Sequence, residues 1–389
     1  MHQGEHGESA YIIEEGRVEI IIQHLNGSEQ SVGTRGAGTI IGEMALVDHA
    51  PRTATVKAIE NCTLLEITQK DLDKRLDTAD PVLRMISQVI LTRYRDTLTR
   101  SEIRGDSQNW PPAEAVELNY AEQTDAVEKI KIANEFQTAL LENQLSLHYQ
   151  PMIDFSTKKI VGFEALMRWT HPEKGPIYPD IFIPIAEDSG LIVQASKWAL
   201  EEACMALKRI EHQTGHDNDL FMSVNFSSTD FAADGFVDSV YSTISKSDVQ
   251  PQNVHLEITE RLLMGQPDNA RETLNMCRDA GISVSIDDFG TGYSSLSYLH
   301  YFPIDILKID RSFVSDMNKN ESSMALIKSI IALGHNMKMK IIAEGVENKE
   351  EAQELTKLGC DAAQGYYFSK PIPEKDVIEF MRSTDSFDF

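Results

Sequence analysis

Residues 283–290 and 306–310 read SVSIDDFG and ILKID, and these two stretches decide the fold. Each is short, rich in β-branched residues and mostly apolar until it reaches charged side chains, which is typical of a buried strand. Four more runs have this character: IVGFEALMRW at 160–169, MSVNFSS at 222–228, VHLEITE at 254–260 and KIIAEGVE at 340–347. Longer stretches of helical character separate the runs, and this alternation predicts a parallel sheet.

The intervening stretches place apolar residues three and four positions apart, as in DNARETLNMCRDAG at 268–281 and SMALIKSIIALGHNMK at 323–338. We expect these helices to end at Gly281 and near Gly334, where a glycine would form the C-terminal cap. LSLHYQPMID at 145–154 and CDAAQGYYFSKP at 360–371 add strands at the front and the back. About eight strands result, which is enough to close an α/β barrel with its active site at the C-terminal strand ends.

Oxygen-bearing side chains lie at the ends of these strands: Glu164, Asn225, Glu257, Asp287, Asp288 and Glu344. Carboxylates and amide oxygens suit Mg²⁺ or Mn²⁺, and no Cys or His stands at a comparable position to suggest zinc. The adjacent Asp287 and Asp288 can serve two ions, and two ions roughly 3.5–4 Å apart are a common device for in-line displacement at phosphorus. Lys308, which ends another strand, is placed to orient the attacking water. The pattern predicts phosphodiester hydrolysis.

Residues 124–385 resemble the EAL-domain cyclic di-GMP phosphodiesterases. The motifs that carry the resemblance are HYQP at 148–151, EAL at 164–166 followed by Arg168, VNFS at 224–227, EITE at 257–260, DDFGTGYSSL at 287–296, KID at 308–310, AEGVE at 343–347 and QGYYFSKP at 364–371. The resemblance implies that Glu164, Asn225, Glu257 and Asp287 hold one metal ion. It implies that Asp288, with Asp287 and Glu344, holds a second one.

The same resemblance implies the roles of the remaining site residues. Lys308 matches the water-positioning lysine, and Glu260 matches the glutamate that anchors the 287–296 loop. The residues expected to take part in catalysis are therefore Lys308, Glu164, Glu344 and Glu260. The residues expected to contact the dinucleotide or support its site are Gln150, Leu166, Arg168 and Gln364.

A second module precedes the barrel. YIIEEGRVEIIIQHL at 11–25 has the pattern of a hairpin that turns at Glu15 and Gly16. In TIIGEMALVDHAPRTATVKA at 39–58, a short helix from Gly42 to Leu46 would direct free amides at an anion, and Arg52 could clamp the same anion. Glu43 would then accept a hydrogen bond from a hydroxyl group. A phosphate beside a ribose satisfies this arrangement.

This stretch resembles the phosphate-binding cassette of the cyclic-nucleotide-binding fold found in cAMP receptor proteins, a small β-roll with a C-terminal helix. The resemblance places Glu43 on the residue that contacts the ribose 2′-OH, Arg52 on the phosphate-binding arginine and Thr53 on its neighbour, and the nucleotide-binding residues are therefore expected to be Gly42, Glu43, Arg52 and Thr53. MHQGEHGESAYII aligns inside the module, so its usual opening helix and first strands are missing from this sequence. Either the true chain starts earlier or the module is open at one edge, and an unpaired edge invites another chain or a loss of stability.

Residues 81–104 follow the module with a three-four apolar spacing that predicts one amphipathic helix begun by Pro81. This helix could pack on its own β-roll, and it could also pair with a second copy in a homodimer. The predicted domains are thus a nucleotide-binding domain over 1–104, a linker over 105–123, the phosphodiesterase barrel over 124–385 and a tail over 386–389.

The chain has 389 residues and a net charge of −25, which makes binding to a nucleic-acid polymer improbable. The bulk field repels an anionic dinucleotide, so attraction must come from bound metal, Arg168 and Lys308. The four cysteines have neither metal-ligand nor redox spacing, which favours reduced core residues in the cytoplasm. No apolar stretch suggests membrane insertion, and no signal peptide is apparent.

Three functions fit these observations. The first is hydrolysis of cyclic di-GMP to linear pGpG, controlled by cAMP or a related cyclic nucleotide at the N-terminal module. The second is a catalytically silent receptor for cyclic di-GMP, although the intact metal ligands and Lys308 weigh against it. The third keeps the enzyme and reduces the N-terminal module to a dimerisation scaffold.

Overall fold

The computed structural model describes residues 1–24, 27–47, 51–69, 90, 126–216, 219–265, 267–290, 299–318, 320–384 and 386–389. The predicted helix at 81–104, apart from Ile90, and the predicted linker at 105–123 lie outside the described residues. The chain divides into two compact units, Met1–Ile132 and Ala133–Phe389.

The N-terminal unit contains two three-stranded sheets. Its described strands are β1 (Ser9–Glu15), β2 (Arg17–Gln23), β3 (Glu29–Gly36), β4 (Ile40–Ile41), β5 (Thr55–Ala58) and β6 (Thr63–Thr68), and the short helix α1 (Glu43–Val47) lies between β4 and β5. One sheet has the order β4-β1-β6 and the other β3-β2-β5. The chain does turn between Glu15 and Arg17, but the predicted β1–β2 hairpin is wrong because the two strands pair in different sheets. Ile13, Val18 and Ile41 fill the core of this unit.

The second unit is built around a closed barrel of eight strands, as the sequence predicts. Its strands are β7 (Leu145–Asp154), β8 (Ile160–His171), β10 (Phe221–Phe226), β11 (Val254–Thr259), β12 (Ser283–Phe289), β13 (Ile306–Ile309), β14 (Lys340–Ala343) and β15 (Ala362–Ala363), and two short edge strands, β9 (Gly175–Ile177) and β16 (Ile372–Pro373), extend it. The pairing of β7 with both β8 and β15 closes the circle.

The barrel departs from the predicted parallel sheet at β7, which is antiparallel to both of its neighbours. Only residues 155–159 connect β7 to β8. Because a parallel crossover needs a dozen or more residues, so short a connection can only form a hairpin. The other seven strands run parallel to one another.

Helices cover the outside of the barrel. They are α2 (Ala126–Leu141), α3 (Pro179–Asp188), α4 (Ile192–Thr214), α5 (Ser228–Phe231), α6 (Phe236–Lys246), α7 (Glu260–Gly265), α8 (Pro267–Asp279), α9 (Arg311–Asp316), α10 (Glu321–Asn336), α11 (Lys349–Leu358) and α12 (Glu374–Ser383). The main hydrophobic core lies between these helices and the strands. Cys204, Cys277 and Cys360 are buried within it as free thiols.

One predicted helix end is corrected by the structure. Gly334 lies inside α10, which continues to Asn336, whereas Gly281 does adopt the left-handed conformation of a cap, with φ of 78°. A Cβ atom at Gly334 would come within 2.2 Å of Ile341 Cδ1. Gly334 therefore allows close packing of α10 on β14.

Candidate active site

Lys308 lies at the centre of the candidate site and is completely buried. Its Nζ atom is 2.6 Å from Glu344 Oε1, 2.7 Å from Glu257 Oε2, 3.2 Å from Asp287 Oδ1 and 3.3 Å from Glu164 Oε2. These four carboxylates come from β8, β11, β12 and the end of β14. Since one side chain reaches four other segments of the barrel wall, Lys308 points into the barrel.

Strand alternation explains why the site lies at one end of the barrel. Residues two apart share a face of a strand, so Ile306 lies below Lys308, Ile342 below Glu344 and Ala362 below Gln364. These three apolar residues pack together with Met152 in a small cluster separate from the main core. The interior of the barrel is therefore polar at the C-terminal ends of the parallel strands and apolar one layer further toward their N-terminal ends.

A β-bulge directs the two adjacent aspartates to the same rim. Ile286 pairs with Leu307 and Phe289 with Ile309, so β12 holds two residues, Asp287 and Asp288, where β13 holds only Lys308. Asp288 has a φ of 55°, in the left-handed region that Asp tolerates better than most residues. In a regular strand these neighbours would point to opposite faces. With the bulge, carboxylate oxygens of Asp287, Asp288 and Glu344 all lie within 4.8 Å of one another.

Two amide side chains tie the carboxylates together. Gln364 Nε2 donates hydrogen bonds to Glu164 Oε2 at 2.7 Å and to Glu344 Oε1 at 2.8 Å. Asn225 Nδ2 donates to Glu164 Oε1 at 2.8 Å. Gln364 thus links Glu164 to Glu344. From the sequence alone, this role could not be distinguished from direct contact with the substrate.

The electrostatics of the cluster follow from one ammonium among several buried carboxylates. Burial disfavours the charge of Lys308, but Asp287, Glu164 and the other two carboxylates outweigh burial and hold its pKa well above the usual value. Burial would also raise the pKa of Glu164, but Lys308 and the two amide donors keep it below its usual value. Burial, reinforced by the neighbouring negative charges, raises the pKa of Glu257 well above the usual value and that of Glu344 to about 8. The cluster therefore holds more negative charge than one ammonium can balance.

The donor set fits divalent cations. Asp287 Oδ1 lies 3.2 Å from Lys308 Nζ, whereas Glu257 Oε1 and Gln364 Oε1 are buried and accept no hydrogen bond from the described residues. A buried oxygen without a partner carries a desolvation cost that a cation would remove. All of these atoms are hard oxygen donors of the kind that Mg²⁺ and Mn²⁺ prefer.

The residues expected to contact the dinucleotide surround this cluster. Gln150 is buried and donates to Ser369 O at 3.2 Å, and Arg168 Nη1 donates to Met167 O at 2.8 Å. Burial lowers the pKa of Arg168, while the nearby Tyr366 and Glu164 raise it. Leu166 is half-buried on the same strand as Glu164.

Glu260 is half-buried and begins α7, directly after β11. Of the 287–296 loop that it is expected to anchor, residues 291–296 lie outside the described residues. Its anchoring role stays a prediction.

The structure also brings together the four residues predicted in the N-terminal cassette. Gly42 has a φ of 78° and leads into α1, which starts at Glu43. Arg52 Nη2 donates to Ser9 O at 2.7 Å, and Thr53 lies against Met44 of α1, with its Oγ1 3.9 Å from Sδ. A Cβ atom at Gly42 would come within 2.4 Å of Arg52 Nη1, so a larger residue there would displace this guanidinium.

Family models match both units. The EAL domain model matches residues 133–371, and the cyclic nucleotide-binding domain model matches residues 1–79. The fold class expected from the sequence, a nucleotide-binding β-roll followed by an EAL barrel, is confirmed. No described helix has the length and apolar character needed to cross a membrane.

Curated relatives are similar over the barrel. The bifunctional diguanylate cyclase/cyclic di-GMP phosphodiesterase MucR of Pseudomonas aeruginosa is 40% identical over 254 residues, which is 65% of this chain and 37% of MucR. The cyclic di-GMP phosphodiesterase NbdA of the same organism is 38% identical over 258 residues, 66% of this chain and 33% of NbdA. The chain thus spans about a third of the length of these relatives.

Solved structures extend the similarity to both units. The EAL enzyme Bd1971 in its cAMP-bound form is 36% identical with a TM-score of 0.80, and the match covers 98% of this chain and 97% of that one. The form with cAMP and cyclic di-GMP bound has the same identity, TM-score and coverage. The phosphodiesterase of MucR in complex with cyclic di-GMP is 39% identical with a TM-score of 0.60, over 64% of this chain and 99% of that one. The chain belongs to the EAL domain family.

Proposed function

We propose that this chain hydrolyses cyclic di-GMP to linear pGpG with two Mg²⁺ or Mn²⁺ ions, and that a cyclic nucleotide, cAMP or a related one, regulates the reaction from the N-terminal unit. The observation that carries the proposal is the buried Lys308 with four carboxylates within 3.3 Å, beside the bulge that adds Asp288. A site that only bound an anionic dinucleotide would gain nothing from so many negative charges. A site that loads divalent cations needs them.

Each part of the cluster has a distinct task in this proposal. Glu164, Asn225, Glu257 and Asp287 would hold one ion, and Asp288 with Asp287 and Glu344 would hold the other. When bound, the ions would supply Lewis acidity for the phosphodiester and the attacking water. Lys308, which contacts four of the carboxylates, would hold and orient that water. Gln364, by bridging Glu164 and Glu344, keeps the two halves of the ligand set at a fixed separation.

The substrate is bound by the residues at the rim. Arg168 is the half-buried cation closest in sequence to the cluster, and it would bind a phosphate of the dinucleotide, with Gln150 and Leu166 beside it. This local positive charge is needed because the chain as a whole carries a net charge of −25.

Regulation is proposed from the N-terminal cassette. Arg52 donates to the carbonyl oxygen of Ser9 in this structure. A cyclic phosphate would offer the guanidinium a charged, bidentate acceptor, which is stronger than a neutral carbonyl.

We further propose that the chain forms a homodimer and that its domain bounds are 1–104, 105–123, 124–385 and 386–389. Light scattering of the purified chain tests the first and limited proteolysis the second.

Chromatography of the products formed from cyclic di-GMP tests the central proposal. Asp288→Asn keeps the shape of the side chain and its tolerance of a positive φ but removes the charge. We expect pGpG formation to fall roughly 10- to 100-fold, as is typical when support for a metal is lost. Glu350→Gln, an exposed carboxylate at the start of α11, is the matched control and should leave the rate unchanged. Equal rates in both variants and the wild type, or no pGpG from any of them, would refute the proposal.

A further inference from the structure

The C-terminal residues 386–389 are packed against the barrel. Phe389 is buried, with its ring 5.3 Å from that of Phe155 and 5.8 Å from that of Phe368. Lys158, in the turn between β7 and β8, donates to Phe389 O at 3.0 Å and lies 5.0 Å from the centre of its ring. The backbone N–H of Phe387 donates to Lys158 O at 3.0 Å. These contacts fix the backbone and the rings of residues 387–389 in one place.

The packed residues hold one particular segment, residues 365–371, which follows β15. Phe387 and Phe389 both make edge-on contacts with Phe368, at 5.4 and 5.8 Å between ring centres. The hydroxyl group of Tyr367 donates to Asp388 O at 3.0 Å. The C-terminal residues thus hold two consecutive side chains of this segment, one by apolar packing and one by a hydrogen bond.

The same segment leads directly to the candidate active site. Gln364, which bridges Glu164 and Glu344, precedes it immediately. The carbonyl oxygen of Ser369, one residue after Phe368, accepts the hydrogen bond of Gln150 at 3.2 Å. Two of the residues expected to contact the dinucleotide are therefore oriented from a segment whose outer side is covered by residues 387–389.

We propose that Phe387, Asp388 and Phe389 form a clamp that positions residues 365–371, and through them Gln364 and Gln150, for the dinucleotide. They are positioning residues, since none of them reaches the cluster. The inference rests on the proposed function only for its effect on catalysis. Its effect on the order of the segment can be measured without substrate.

Hydrogen exchange provides that measurement. The amide of Tyr367 donates to Val346 O, outside the segment, and is protected while the segment stays in place, whereas the amides of Phe368 and Ser369 donate to Gly365 O and are protected while the segment keeps its own fold. In Phe389→Ala we expect these amides to exchange faster, whereas those of strand β11 stay as protected as in the wild type. Phe389→Leu should restore most of the protection because it refills much of the apolar site. If Phe389→Ala fails to fold, Tyr367→Phe removes only the hydrogen bond to Asp388 and should give a smaller change of the same kind.

Kinetics separates positioning from simple packing. Loss of the clamp should lower kcat/KM for cyclic di-GMP, mainly through KM, by up to about 100-fold if the segment shifts by about 1 Å. Lys349→Ala, which removes an exposed ion pair with Asp388, is the control and should behave as the wild type. A lower melting temperature in Phe389→Ala with unchanged exchange at 367–369 and unchanged KM would overturn the inference. If the wild type releases no pGpG, the proposed function fails, but the exchange data still decide whether the clamp exists.

Discussion

Replacing Lys308 by Met tests most directly whether the ammonium of Lys308 balances the negative charge of the carboxylates around it. Met has nearly the length of Lys but no charge, so the variant removes the ammonium and leaves the shape of the side chain nearly intact. In this structure that ammonium is the partner of Glu164, Glu257, Asp287 and Glu344. We therefore expect metal-free Lys308→Met to be less stable than the metal-free wild type, and to gain more from added Mg²⁺.

The magnitude follows from the contact distances. A pair of unit charges at 3.2 or 3.3 Å, the distances from Lys308 Nζ to Asp287 and Glu164, attracts by about 5 kcal/mol at an effective dielectric constant of about 20. Burial of the charges cancels much of this attraction, and removal of one partner from a buried ion pair typically costs about 3–5 kcal/mol. For a domain of this size such a loss lowers the melting temperature by roughly 6–20 °C. The pKa of Lys308 is raised, so its contribution is fully present below the usual lysine pKa of about 10.4.

Thermal unfolding at pH 8, with chelator and then with increasing Mg²⁺, is the assay. The metal-free variant should melt earlier than the metal-free wild type, and Mg²⁺ should raise its melting temperature by more, because the uncompensated carboxylates bind the cation more tightly. Turnover measured at saturating Mg²⁺ should nevertheless be slow. Lys308 is expected to orient water only on the way to the transition state, so binding of the dinucleotide should be largely preserved.

Two results would refute this reasoning. If the metal-free variant is as stable as the wild type, the ammonium does not balance the cluster. If Mg²⁺ stabilises the variant less than the wild type, Lys308 helps to hold the ions and does not compensate for their absence. Equal losses of dinucleotide binding and turnover would show that its role in orienting water is wrong.

Three further predictions concern the metal, the pH and the N-terminal unit. Excess chelator should abolish pGpG formation, and Mg²⁺ or Mn²⁺ should restore it better than Ca²⁺, whose geometry is looser; turnover that persists in chelator would contradict the two-ion proposal. Metal affinity measured by calorimetry should fall as the pH drops below about 8, because Glu257 and Glu344, whose pKa is raised to about 8, must lose protons to bind the ion. The expected fall is up to about tenfold per pH unit for each proton released. A flat affinity profile between pH 6 and 9 would exclude this linkage. Arg52→Ala should remove any response of pGpG formation to cAMP, expected to be about 5- to 150-fold at most, while basal hydrolysis persists; a flat cAMP titration of the wild type, without binding by calorimetry, would leave the N-terminal unit as a scaffold.

Much of the barrel could be predicted because its signals are local. Each strand is a short apolar run with a charged or polar end, and each of the eight predicted runs forms a barrel strand. The antiparallel direction of β7 could also be predicted from the sequence, because the five residues between β7 and β8 are too few for a parallel crossover. The wrong pairing of β1 with β2 has a different cause. A turn at Gly16 indicates that the chain reverses direction there. Which strand pairs with which, however, depends on strands that are distant in the sequence.

In the candidate site, too, some features follow from the local sequence and others depend on distant parts of the chain. Strand-end positions identified the oxygen donors, because residue type and position in the strand are properties of the sequence itself. The bulge at Asp287 and Asp288 could not be predicted in this way, since it depends on the register between β12 and β13. The contact of Lys308 with four carboxylates and the bridge made by Gln364 are likewise consequences of barrel closure, which brings together residues up to 200 positions apart. The predicted tail at 386–389 has no periodic signal, and its packing depends on Phe155 and Phe368 far away in the sequence.

Barrel closure also explains how the carboxylates of the cluster are held close together. Four carboxylates on an open surface would separate and become solvated, but here each belongs to a strand end whose position is fixed by pairing on both sides. The apolar layer of Ile306, Ile342 and Met152 below them prevents the side chains from moving away from the rim. Mutual repulsion must then be relieved within the site, by Lys308, by protons on Glu257 and Glu344, or by cations. The fold thus holds the carboxylates close together, and under the proposed function this preorganisation would reduce the cost of assembling the site around the substrate.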